Sequence, residues 1–178
     1  RIPGQVVIQY TDQCNAACAQ CGMRRSNAFE RTKMSMDDAR RLIDALAEKG
    51  VQAISFTGGE PLLYLDEIAQ LATYAGQAGI KYIRTGTNGF LFMGSDKPGF
   101  KDKVRKAAET LAASPINTFW VSVDSAQAEA HEENRGLPGV MAGLEKGLPI
   151  FHELGLYPSA NLGINRYTGG YGDMALPV

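Results

Sequence analysis

Cysteine is scarce in this chain: three residues among 178, all between Cys14 and Cys21. An odd, tightly clustered set is a poor disulfide framework. It reads as a metal site in a reducing compartment, and the cytoplasm is the expected location. Histidine is scarcer still, with His131 and His152 alone, so no imidazole lies near the cysteines in sequence. Long apolar runs are missing. Nothing approaches the roughly 18–20 residues that span a bilayer, and no membrane partner is expected. Neither sign of charge dominates, with 18 basic and 19 acidic side chains. No overall field therefore points to nucleic acid or to an acidic membrane surface. The opening Arg1-Ile2-Pro3-Gly4 lacks a signal-peptide pattern and reads as the interior of a longer chain.

What is present is ordinary for a globular domain: 44% apolar and 21% charged residues, enough for one sizeable core. Strands are predicted at Val6 to Thr11, Ala53 to Thr57, Lys81 to Thr87, Thr118 to Val123 and Ala160 to Ile164. Helical patterns fall between them. One starts at Ser35, an N-cap followed by Asp37 and Asp38 in the first turn, and stops at Gly50. Others run from about Asp66 to Gln77, from Asp102 to Ala113, and over much of Val140 to Leu154 with a bend or fray at Pro149. Asn88 to Phe100 reads as a loop. Each interval between strands can hold a crossover helix, so an α/β fold with a parallel sheet is expected. The tail from Arg166 to Val178 reads as a loop or the start of a further region, leaving 1–165 as the core domain.

Ligands of parallel β/α folds gather beyond the carboxyl ends of the strands. The chemistry-bearing residues fall there. The cysteines follow the first strand, and Gly58-Gly59-Glu60-Pro61 the second. Thr87-Asn88-Gly89 follow the third, Ser122, Asp124 and Ser125 end the fourth, and Asn161, Gly163 and Asn165 end the fifth. The five tips are expected to share one site.

Cys14-x-x-x-Cys18-x-x-Cys21 is the strongest signal. Thiolates are the soft ligands that iron–sulfur clusters use, and three on one short loop can reach three corners of a cubane, leaving one iron open. The alternative is zinc with a fourth ligand from elsewhere, in a non-catalytic binding module. A one-electron carrier of ferredoxin type is a further alternative. Gly58-Gly59-Glu60 offers backbone that a ligand can approach closely and a carboxylate for an ammonium group, or is a plain strand-to-helix turn.

In order and spacing, these motifs resemble those of the radical S-adenosylmethionine (SAM) superfamily, from about Val6 to Asn165. The resemblance implies a partial (β/α)6 TIM-like barrel, of which about five β/α units are visible here. A full enzyme would continue past this chain. It implies a 4Fe-4S cluster on Cys14, Cys18 and Cys21. It also implies SAM on the open iron, cleaved on reduction to a 5′-deoxyadenosyl radical that takes hydrogen from a substrate. Gly58, Gly59 and Glu60 match the stretch that contacts the methionine amino group. Ser122-Val123-Asp124-Ser125 with His131 and Arg135 resembles peptide-modifying and molybdenum-cofactor cyclase-like members. This suggests Ser122 or Asp124 at the SAM ribose or carboxylate, and Arg135 at the carboxylate. Asn88 is a candidate for SAM or substrate, or a turn residue. Asn161, Gly163 and Asn165 resemble the adenine-binding region. Gln20 stands where the family usually has an aromatic residue, so adenine contact would fall to that amide or to Met23.

A small metabolite or a peptide is the expected substrate, with modification of a nucleoside or tRNA as the alternative. The electron donor would be a flavodoxin or ferredoxin. Arg24, Arg25, Arg31 and Lys33 form either a solvated face or a contact for such a donor or for a phosphate-bearing substrate. His131 reads as structural, His152 as partly exposed, and Phe119 and Trp120 as core. No residue is singled out as acting on the substrate.

Overall fold

The structure is a computed structural model that describes residues 4–25 and 28–163. Five strands form one sheet: β1 (Gln5–Thr11), β2 (Ala53–Gly58), β3 (Tyr82–Thr87), β4 (Thr118–Val123) and β5 (Ser159–Leu162). They lie in chain order and every pair is parallel. The helices are α1 (Gly22–Arg25), α2 (Met36–Glu48), α3 (Leu65–Gln77), α4 (Phe100–Ala112), α5 (Ala128–Arg135) and α6 (Val140–Glu153). The fold is α/β, with helices alternating with the parallel strands as in a partial barrel. No sixth strand occurs among the described residues, and Ile164, Asn165 and the tail lie outside them.

Period-two alternation separates two faces of the sheet. Ile8 and Tyr10 of β1, Ile54 and Phe56 of β2 and Ile83 of β3 turn toward the helices. There they pack with Ala39 and Ile43 of α2 and with Ile68 and Leu71 of α3. A second core joins Phe119 and Val121 of β4 to α4 and α6. In it Phe151 stacks on Phe119 at 5.9 Å and meets Phe92 at 5.4 Å between ring centroids. Each such side chain contributes about 1.5–3 kcal/mol by leaving water. The opposite, inner face carries Val7 and Gln9, Ser55 and Thr57, Arg84 and Gly86, and Trp120 and Ser122.

Most sequence-based boundaries hold within two residues. Ser35 caps α2, its hydroxyl accepting the Asp38 N–H at 3.1 Å. The expected loop after β3 contains a single 3-10 turn at Phe90–Phe92, and another, Pro61–Tyr64, precedes α3. α6 runs on through Pro149 to Glu153 rather than fraying there. Two short helices, α1 and α5, were not foreseen. No helix among the described residues is long and apolar enough to cross a membrane.

Candidate active site

Beyond the carboxyl ends of β1 to β4 lies a cleft of about 330 Å³. The three cysteine side chains line it, together with Gly58, Gly59, Glu60, Asn88, Ser122 and Arg135. Gln20 and Met23 line it too, where the sequence placed the candidate adenine contacts. Gly89 of the third strand tip, Asp124 and Ser125 of the fourth, and Asn161 and Gly163 of the fifth do not line it. Asp124 is buried behind Arg135, and Asn161 is exposed on β5, paired in register with Ser122 but off the cleft.

The cysteine loop is held from both sides by backbone hydrogen bonds. Gly59 N–H donates to Thr11 O at 2.7 Å, and Glu60 N–H to Gln13 O at 2.8 Å. On the other side, Ala17 N–H donates to Arg135 O at 2.8 Å, at the end of α5. The first pair explains the two glycines. Gly58 has φ 141°, and a methyl on it would overlap the Thr11 carbonyl; a methyl on Gly59 would overlap Gln13 O. The sequence reading assigned this closeness to an approaching ligand. Here the cysteine loop itself comes that close.

None of the three cysteines is in a disulfide. Burial pushes the Cys18 thiol up, against the pull of the Arg135 charge. A single zinc ion needs its donors within about 2.0–2.3 Å of one point. No group of three His, Cys, Asp or Glu side chains among the described residues could hold one ion. Three soft sulfurs lining one cleft suit a cubane, which is held at its corners.

Glu60 is 1% exposed. Its Oε1 accepts Leu62 N–H and the Thr87 hydroxyl, each at 3.0 Å, and its Oε2 accepts Asn88 N–H at 2.6 Å. A carboxylate has about four acceptor positions. Three are used, one remains at Oε2, and the residue lines the cleft. Burial outweighs these donors and pushes the pKa from 4.5 up to about 7.

Asn88 is committed to the cysteine loop. Its Nδ2 donates to Asn15 Oδ1 at 2.9 Å and toward Cys14 Sγ at 3.7 Å, while its Oδ1 accepts Phe90 N–H. Arg135 is 12% exposed and forks onto Asp124, Nε to Oδ2 at 2.8 Å and Nη2 to Oδ1 at 2.6 Å. Asn134 also donates to Oδ2. The carboxylate that Arg135 meets here is thus a protein one, and only its remaining donors face the cleft. His131 is fully buried. Its Nδ1 accepts Asp124 N–H at 3.1 Å, and burial holds its pKa below the ordinary imidazole value. It positions Asp124.

Trp120 was read as core. It lines the cleft instead, its indole lying over Gly86, where a methyl would overlap it, while Phe119 is core. Strand alternation alone carries that signal: Phe119 and Trp120 must face opposite ways. Thr57 was also missed as a cleft residue, whereas Thr87, expected at the third strand tip, lines the cleft. Lys33 pairs with Glu67 at 2.6 Å and sits 4.7 Å from the Tyr64 ring centroid, and Arg31 donates to Met23 O. Both secure the segment after the cysteines. The side chains of Arg24 and Arg25 lie outside the described residues.

The sequence matches the family described as the Radical SAM superfamily over residues 8–173. It is 29% identical over 147 residues to an AdoMet-dependent heme synthase of Methanosarcina barkeri (strain Fusaro / DSM 804), covering 80% of this chain and 38% of that protein. It is 28% identical over 151 residues to a GTP 3',8-cyclase of Mannheimia succiniciproducens, covering 82% and 41%. The chain thus spans about two-fifths of these curated relatives. Among solved structures, Streptococcus suis SuiB bound to precursor peptide SuiA superposes with a TM-score of 0.72 at 22% identity, over 97% of this chain and 35% of that one. That likeness concerns the fold.

Proposed function

The chain belongs to the radical SAM superfamily, whose members use a 4Fe-4S cluster and SAM, and from that membership we propose that it is the catalytic core of a radical SAM enzyme. The observation that carries this reading is the shared cleft: three cysteines outside any disulfide and the Gly58-Gly59-Glu60 turn line one cavity at the strand tips. Cys14, Cys18 and Cys21 would hold the cluster. Bound there and reduced by a one-electron donor such as a flavodoxin or ferredoxin, the cluster would supply the electron for cleavage of SAM to methionine and a hydrogen-abstracting 5′-deoxyadenosyl radical.

The chain's own residues bind and orient. The remaining acceptor position of Glu60 takes the SAM ammonium, and the outward donors of Arg135 take its carboxylate. Ser122 offers a hydroxyl to the ribose, while Gln20 and Met23 flank the adenine. Trp120 lines the base of the cleft, its indole lying over Gly86. Asp124 and His131 act one step removed by fixing Arg135, and Asn88 by fixing the cysteine loop. The substrate is a small metabolite or a peptide, and the protein works in the reducing cytoplasm.

Anaerobic reconstitution with iron and sulfide, reduction with dithionite and chromatography for 5′-deoxyadenosine test this reading. A brown protein that forms 5′-deoxyadenosine is expected, and a Cys14, Cys18 and Cys21 triple Ala variant should form none. A colourless protein holding one zinc, or a cluster protein that leaves SAM intact, would refute it.

A further inference from the structure

On the inner face of β3, two residues below Gly86, lies Arg84. A parallel strand rises about 3.3 Å per residue, so Arg84 sits roughly 7 Å deeper than the floor on which Trp120 rests. Its register neighbours are Ser55 on β2 and Thr118 on β4. The side chain is half-buried, and its Nε is buried with no hydrogen-bond partner. No ion pair reaches it among the described residues. Each of the five other described arginine side chains, Arg31, Arg40, Arg41, Arg105 and Arg135, has a carboxylate or carbonyl partner.

The inner-face positions of the described strands carry no Asp, Glu or Lys, so Arg84 is the one charged side chain there. A guanidinium that gives up water without a counter-ion is costly, and the cost is relieved when an anion completes it. Access is open. Val7, beside Ser55, is 60% exposed, and Tyr82, two residues from Arg84, is 59% exposed. A forked, planar donor with hydroxyl side chains on either side suits a planar oxyanion. One positive charge matches one carboxylate, whereas a di- or triphosphate would call for several cations.

We propose that Arg84 holds a carboxylate of the substrate on the inner face of the sheet, beneath the cofactor cleft. This deepens the radical SAM reading by naming a substrate class, and rests on it for calling the ligand a substrate. The reacting part of the molecule then points up past Trp120 toward the cleft, and its acid group points down.

Trp120 is the only tryptophan of the chain, so its fluorescence reports on this space without any assay of turnover. The full chain, with no iron or SAM added, is titrated with propionate, with its neutral isostere propionamide and with pyrophosphate at constant ionic strength. A saturable change with propionate and none with propionamide is expected. Arg84→Met should weaken propionate at least tenfold, and Arg84→Lys, which keeps the charge but loses the fork, about threefold. Circular dichroism checks the fold of each variant, and the Lys variant serves if the Met variant does not fold. An unchanged response in both variants, no saturation in the wild type, or tighter binding of pyrophosphate would overturn the proposal. Because no cluster is involved, such a failure would leave 5′-deoxyadenosine formation standing, and a failed cleavage assay would leave the anion site standing.

Discussion

The two halves of the cleft are built differently. On the β1–β2–β3 side, backbone meets backbone. Thr11 and Gln13 accept from Gly59 and Glu60, and the Glu60 carboxylate ties the β2 turn to the tip of β3. On the β4–β5 side, a single backbone bond, Ala17 N–H to Arg135 O, is backed by side chains. One forked ion pair, Arg135 with Asp124, carries the end of α5 against the cysteine loop, while β5 is exposed along its whole length. The first half is rigid by sterics. The second depends on a charge pair and on an outer strand that the described residues leave uncovered.

That contrast is sharpest at Asp124. Asp124→Ala strands the Arg135 guanidinium beside a buried thiol and should cost about 3–5 kcal/mol, the usual result of breaking a buried pair. Chemical denaturation measures it, and Asp124→Asn should recover part of the loss. A cost below 1 kcal/mol would mean that the β4 side is not held by this pair. Gly59→Ala tests the other half. The added methyl must displace the Gln13 carbonyl, so a loss of about 2–3 kcal/mol is expected, within the range for overpacking. Iron per chain after reconstitution should fall by at least half.

Much of the first half was legible in the sequence because its chemistry is local. The cysteine spacing, the Gly58-Gly59-Glu60 turn, the Ser35 cap and the strand runs each declare themselves within a few residues. The second half was less legible. The α5 sequence Ala-Glu-Ala-His-Glu-Glu-Asn-Arg has almost no apolar stripe, and only His131 is buried. Its packing comes from hydrogen bonds to Asp124 and to Ala17, which no periodicity encodes. Asp124 and Arg135 were each assigned to a ligand, and only the fold reveals that they first satisfy each other. Trp120 was misread because a tryptophan in an apolar strand looks like core until the facing Gly86 is known.

A smaller effect belongs to Glu60. Its folded pKa lies near 7, above the 4.5 of an unperturbed group. Between these values the folded state binds the extra proton. Stability therefore rises as pH falls from 7 toward 4.5, and is lost as pH rises through 7 at up to about 1.4 kcal/mol per unit. SAM affinity should run the opposite way, because the ammonium needs the carboxylate: about tenfold weaker per pH unit below 7. Glu60→Gln should flatten both profiles, as read by thermal melts and calorimetry between pH 5 and 8. A wild type as pH-independent as the variant would remove Glu60 from the ammonium contact. The smallest effect is expected at Asn161. It is exposed and off the cleft, so Asn161→Ala should change stability by less than about 0.5 kcal/mol. A large loss of SAM affinity in that variant would show that β5 closes over the cleft when SAM binds.

The most direct measurement is the electron paramagnetic resonance spectrum of the reduced, reconstituted chain with and without SAM. Three cysteine corners and an open iron should give a cluster signal that changes shape when SAM is added, with no signal from the triple cysteine variant. A cluster signal that SAM leaves untouched would contradict the account.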